Sequence, residues 1–160
     1  MDNKGAIVGI SSNSLFRGQS LQYLDDKGRL RIPTRFRDVL KKDYTDALVL
    51  TTMGDCLVAY PPEIWRKIED KALGMSQIQP QQRAFMRYFV SSAAVCEFDK
   101  QGRIHIPSVL RENVGLEKEA FLAGMLTTFE IWAKSKWDEQ LKSSKANFEQ
   151  IAEEIANFGF

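Results

Sequence analysis

The sequence predicts an α+β fold assembled from two tandem copies of one unit, and three observations carry that prediction. First, the stretch LDDKGRLRIPTRFRD, from Leu24 to Asp38, returns in variant form as FDKQGRIHIPSVLRE, from Phe98 to Glu112. Asp25, Gly28, Arg29, Ile32, Pro33 and Arg37 meet identical residues at Asp99, Gly102, Arg103, Ile106, Pro107 and Arg111, each 74 positions later. Chance rarely aligns such residues in one register twice, and a repeat of this kind decides the architecture before any local assignment does. Second, each copy runs through turn residues, an alternating strand, a proline and a short amphipathic segment. Third, the similarity continues downstream, where Trp132 and Trp137 match Tyr60 and Trp65 at a shift of 72.

Taken in order, residues 1–15 are rich in Gly, Ser and Asn, show little periodicity and are expected to form a mobile arm. The first unit is placed at 16–73. Within it Ser20–Leu24 alternates as a strand, Asp25–Gly28 is turn chemistry, and Arg29–Ile32 is a second strand ended by Pro33. Thr34–Lys41 reads as a short helix with Phe36, Val39 and Leu40 inward. Ala47–Thr52 and Leu57–Tyr60 form a strand pair around Met53-Gly54-Asp55. Pro61-Pro62 opens a helix carrying Ile64, Trp65, Ile68 and Leu73 on one stripe. A connector with a helix from Pro80 fills 74–90. The second unit, 91–137, repeats the pattern: strand Ala93–Phe98, turn, strand Arg103–Ile106, and helix Ser108–Val114 stopped by Gly115. A further strand pair, Ala120–Met125 and Phe129–Ala133, follows. A long C-terminal helix occupies 138–160. Its apolar seam, Trp137, Leu141, Phe148, Ile151, Ile155 and Phe158, suits either its own core or a neighbouring subunit.

Composition excludes several classes. The chain has 160 residues, 44% apolar and 27% charged, as an ordinary globular protein does. Units of roughly 70 residues would be marginal alone, so shared packing is expected. No apolar run approaches the ~20 residues of a membrane span, and GAIVGI is too short for a signal-peptide core. Cys56 and Cys96 form no CxxC pair and suit a reducing cytosol. The single histidine, His105, stands in no HxxxH or HExxH pattern, and no phosphate-binding GxxxxGK[ST] loop is present. No catalytic residue, metal, cofactor, small-molecule substrate or membrane partner is therefore expected. The net charge is only +1, but Arg17–Lys42 holds eight basic residues against three acidic ones, whereas Ala146–Phe160 holds three acids and no base.

Strand alternation converts the repeated stretch into a candidate site. Lys27, Arg29 and Arg31 share one parity, and Gly28, Leu30 and Ile32 share the other. In the second copy Gln101, Arg103 and His105 take the polar parity, with Ile104 and Ile106 inward. A row of cations on a two-stranded ribbon suits phosphate contacts and guanine readout in the major groove. Such residues can also be merely solvated, or paired with Asp25 and Asp99. The two aspartates are expected to cap their turns and hold the arginines, with Gly28 and Gly102 completing the turn. Because Gln101 and His105 replace cations, the first copy is expected to supply more phosphate affinity.

The doubled Asp-x-x-x-Arg pattern, Asp25–Arg29 and Asp99–Arg103, each continuing into Ile-Pro, resembles the MraZ family of bacterial transcriptional regulators. The resemblance extends to Phe16-Arg17-Gly18, Leu57–Pro61 with Trp65, Arg83-Ala84-Phe85, Ser92-Ala93-Ala94 and Glu130-Ile131-Trp132. It covers about residues 16–140. It implies two swapped-hairpin β-barrel halves of the AbrB type, here united in one chain. It further implies a ring-shaped homo-oligomer, cytoplasmic and nucleoid-associated, binding double-stranded DNA. The sites would be short repeated operator elements upstream of the division and cell-wall gene cluster. Arg29 and Arg103 carry over as DNA contacts; Lys27, Arg31, Gln101 and His105 are added from alternation. The competing function is a ring-forming scaffold or protein-interaction module without specific DNA binding.

Overall fold

A computed structural model describes residues 14–159 of the chain. The strands are β1 (Gln19–Tyr23), β2 (Arg29–Arg31), β3 (Ala47–Met53), β4 (Cys56–Tyr60), β5 (Ala94–Glu97), β6 (Arg103–His105), β7 (Glu119–Gly124) and β8 (Phe129–Ala133). The helices are α1 (Thr34–Asp43), α2 (Pro62–Ala72), α3 (Pro80–Phe85), α4 (Ser108–Asn113), α5 (Lys134–Ala146) and α6 (Phe148–Ile155). A π-helical turn, Met86–Val90, continues α3, and a 3₁₀ turn, Ala156–Phe158, follows α6. The fold is thus α+β, as expected. The arm expected over 1–15 lies almost entirely outside the described residues.

Six strands form one antiparallel sheet in the order β1-β7-β8-β4-β3-β5, and β2 and β6 form a separate two-stranded ribbon. The sheet is open, with β1 and β5 at its edges, and does not close into a barrel. Strands are exchanged between the two copies at β1–β7, β3–β5, β2–β6 and β4–β8, while the pairs β3–β4 and β7–β8 each stay within one copy. Leu21 of β1 faces Phe121 of β7, and its counterpart Val95 of β5 faces Val49 of β3. In the ribbon Arg29 faces His105, and Arg31 faces Arg103. Each of those pairs is the other seen from the opposite copy. A pseudo-twofold axis therefore passes through the ribbon and between β4 and β8. A hairpin closed within one copy would join Leu24 to Leu30; that contact survives only as a single bridge. The partner strand comes instead from the other copy, which is why neither unit could hold its core alone.

Alternation gives the sheet two apolar faces. On one, Leu48, Leu50, Leu57, Leu122, Phe129 and Ile131 pack with Leu30 and Ile104 of the ribbon and with Phe36, Leu40 and Leu110 of α1 and α4. Phe16, Phe36 and Phe129 meet at its centre, with ring centroids 4.8–5.5 Å apart. On the other face Val49, Cys56, Val58 and Tyr60 lie under Trp65 of α2 and Phe89 of the π turn. Thr51 Oγ1 anchors that turn by donating to the Phe89 carbonyl at 2.5 Å. The helices expected after Pro33 and Pro61 form where the prolines fix the entry φ.

Two expectations are corrected. Leu73 does not join the α2 stripe; it follows the helix and is exposed. The C-terminal seam is not one helix on its own core. Asn147, at φ −111° and ψ 18°, interrupts it between α5 and α6. Neither helix contains a buried residue, and Leu141, Phe148 and Phe158 are exposed. Trp137 packs back, stacking on Phe121 at 4.6 Å, and Ile151 and Ile155 are half-buried. Spacing identifies an apolar stripe but cannot say what covers it.

Candidate nucleic-acid interface

The repeated stretch builds its turn the same way twice. Asp25 Oδ1 accepts the backbone N–H groups of Lys27 and Arg29, both at 2.9 Å, and its Oδ2 accepts Arg29 Nε at 2.6 Å. Asp99 Oδ1 accepts from the Gln101 and Arg103 backbones at 2.8 and 3.0 Å, and its Oδ2 accepts Arg103 Nε at 2.8 Å. One carboxylate thus closes a turn and aims an arginine, which explains the Asp-x-x-x-Arg spacing. Gly28 and Gly102 hold φ +79° and +77°, a left-handed conformation that a side chain disfavours.

The hydrogen bonds govern the carboxylate chemistry. Accepting the Arg29 backbone N–H, and with it the Arg29 guanidinium and the Lys27 N–H, holds the Asp25 carboxyl down at about 2 against the opposing effect of desolvation. Asp99 is lowered by the same set from Arg103 and Gln101. Exposed ion pairs contribute at most about 1 kcal/mol, so these pairs matter chiefly as positioning devices. Each uses Nε and leaves the Nη groups for other acceptors. Arg103 Nη1 also lies 3.7 Å from Asp25 Oδ2, tying the arginine of one copy to the aspartate of the other.

The turns are locked across copies. Ile32 donates its N–H to the Gly102 carbonyl at 3.1 Å, and Ile106 donates to Gly28 at 2.9 Å. Arg31 Nη1 donates to the Gln101 carbonyl at 2.6 Å. Antiparallel register puts facing residues on the same side of a ribbon. Arg29, Arg31, Arg103 and His105 therefore share one face, while Leu30 and Ile104 fill the core from the other. The four residues on β2 and β6 come together on one face, with Lys27 and Gln101 exposed in the turns at its two ends. Such a surface can grip phosphates through its cations and offer guanidinium forks to base edges.

Sequence reasoning assigned no role to Arg37 and Arg111, although both copies carry them. Each lies against the other copy's turn. Arg37 Nη1 sits 3.4 Å from where a Gly102 Cβ would stand, and the Arg111 guanidinium 2.6–2.9 Å from that of Gly28. Arg111 Nε donates to the Ile106 carbonyl at 2.9 Å; Arg37 pairs with Asp46 at 3.1 Å. Their identity in both copies was the available signal. Asp25 and Asp99 each hold an arginine, and among the described residues no group of three or more His, Cys, Asp or Glu could hold a metal. Burial pushes the thiols of Cys56 and Cys96 up to about 12 and about 11. No described helix is long and apolar enough to cross a membrane.

The family profile described as "MraZ protein, putative antitoxin-like" matches the chain twice, over residues 15–88 and 89–158. A protein of Syntrophobacter fumaroxidans named Transcriptional regulator MraZ is 61% identical over 144 residues, covering 90% of this chain and 96% of the relative. Proteins of the same name from Pediococcus pentosaceus and Desulforamulus reducens are each 40% identical, covering 91% and 89% of this chain and 99% of their own lengths.

Proposed function

The chain belongs to the MraZ family, and from that premise we propose that it is a sequence-specific DNA-binding transcriptional regulator. It binds short repeated operator elements upstream of the division and cell-wall gene cluster, in the cytoplasm and at the nucleoid. Its relatives' names support the regulatory role. The observation that carries the DNA reading is the shared face of Arg29, Arg31, Arg103 and His105 on a two-stranded ribbon. A ribbon of that width fits the major groove, where arginine pairs with guanine O6 and N7. Two of its arginines are pre-aimed by aspartates, so less side-chain entropy is lost on binding.

The chain acts as a ring-shaped homo-oligomer. Support comes from the apolar side of the C-terminal helices, where Leu141, Phe148 and Phe158 are exposed, and from the edge strands β1 and β5. That same uncovered side favours the second reading, a ring-forming scaffold without specific DNA binding. Selection of duplexes from a random pool by the purified protein, with masses measured for free and bound assemblies, separates the two. A regulator enriches a repeated element and shifts to a heavier complex. A scaffold enriches nothing.

A further inference from the structure

The pseudo-twofold builds a concavity beside each turn of the ribbon, and the two differ in charge. The one beside Gly102, about 480 Å³, is lined by Arg31, Arg37, Lys41 and Lys100, with Asp38 its sole acid. The positions related by the repeat beside Gly28 are His105, Arg111, Gly115 and Asp26, with Glu112 for Asp38. The concavity on that side is lined by Asp25, Asp26, Glu117 and Glu119 together with Arg111, Lys118 and Lys134. Shared backbone has thus produced one hollow dominated by cations and one of mixed charge.

The cationic hollow gathers like charges at close range. Nη1 of Arg37 and Nη1 of Arg31 come within 3.4 and 3.9 Å of the same point, where a Gly102 Cβ would stand. Arg37 spends Nε and Nη2 on Asp46, leaving Nη1 on the Gly102 side. Arg31 is bonded there only to a carbonyl, that of Gln101, which carries no compensating charge. Thr34, the first residue of α1, lies on the wall, and the helix has no side-chain cap. Asp46 compensates Arg37 and Asp38 lies on the wall, but Arg31, Lys41 and Lys100 still leave the hollow a net positive charge that an added anion would offset. At Gly28 the Arg111 guanidinium packs over the glycine with its Nε on the Ile106 carbonyl, and Asp26 and Gly115 stand where Lys100 and Lys41 stand at Gly102.

We propose that the hollow at Arg31, Arg37, Lys41 and Lys100 is a phosphate pocket that receives one backbone phosphate of the duplex gripped by the ribbon, and that its pseudo-equivalent takes none. This rests on the DNA reading above. It gives the nearly symmetric ribbon a direction, because only one end is anchored to a phosphate by the flank of α1. Lys41 and Lys100 thereby join the interface although neither lies on β2 or β6.

The test has two arms on the full chain. Inorganic phosphate is titrated while backbone amides are followed by NMR. Thr34 and Gly102 are expected to shift, and Ser108 and Gly28 to stay; K41Q/K100Q should abolish the shifts. Equal shifts at both turns, or none, overturn the pocket. Duplex affinity is then measured against salt for the wild type, K41Q/K100Q and the mirror-side control K118Q/K134Q. Loss of one phosphate contact flattens the log–log slope by about 0.9, expected in K41Q/K100Q and not in the control. An unchanged slope with the wild type still binding overturns the backbone-phosphate assignment and leaves the DNA reading standing. Amide shifts at Gly102 in a chain that binds no duplex refute the DNA reading, and the pocket then takes free phosphate, contrary to the proposal.

Discussion

Arg31 and Arg103 stand directly opposite each other across the β2–β6 ribbon, two cations from different copies on one face. Like charges facing across strands cost roughly 0.2–1 kcal/mol, a cost that an anionic partner would reverse. Arg31→Gln removes the repulsion and gives up one exposed bond, that to the Gln101 carbonyl. Stability by denaturant titration should therefore change by less than about 1 kcal/mol, while duplex affinity falls. A parallel loss of both would mean that Arg31 serves the fold.

Gly28→Ala should be more damaging than Gly102→Ala. Both sites lie at positive φ, where a Cβ costs about 1–2 kcal/mol. At Gly28 the new carbon would also stand 2.6 Å from the Arg111 guanidinium carbon, and Arg111 is held by Ile106; at Gly102 the nearest atom is 3.4 Å away. Thermal melts of the two variants should rank accordingly, with Gly28→Ala lower.

Acid should loosen the turns late. The Asp25 carboxyl falls from its ordinary 3.8 to about 2 in the folded chain. A group whose folded value is depressed contributes stability fully present above the unfolded value and lost as pH falls through the folded one. The window is therefore from about pH 4 down to about pH 2, and Asp99, lowered in the same direction, adds to it. Denaturation midpoints should drop across that window in the wild type. They should drop less in Asp25→Asn/Asp99→Asn, which begins less stable.

Much of this was legible in the sequence, for reasons that residues make plain. Phe36, Val39 and Leu40 were readable as an inward helix face because period and core agree. The polar and core parities around Leu30 held because a ribbon with one buried face fixes its register. The exchange of β2 and β6 was not legible from Arg29–Ile32 itself, since alternation is the same whichever strand lies alongside; only the family resemblance implied it. The single ribbon face formed by both copies, and the posts taken by Arg37 and Arg111, depend on that exchange. Leu73 and the tail failed for another reason: apolar spacing records that a face wants cover, not whether its own chain supplies it.

Deleting 147–160 should leave the fold intact, because α6 contributes no buried residue. The expected result is a melting temperature changed by only a few degrees and a smaller assembly in sedimentation. Unfolding of the truncated chain would show that the tail belongs to the core.

The most direct test of the DNA account is a titration of one enriched duplex at several salt concentrations, with the wild type and Arg29→Ala/Arg103→Ala. The account predicts steep salt dependence, near −0.9 per neutralised phosphate. The double variant should lose roughly tenfold or more, since an arginine fork on a base is worth about 1–3 kcal/mol. Weak binding that ignores salt, sequence and both arginines would contradict it and leave the scaffold reading in its place.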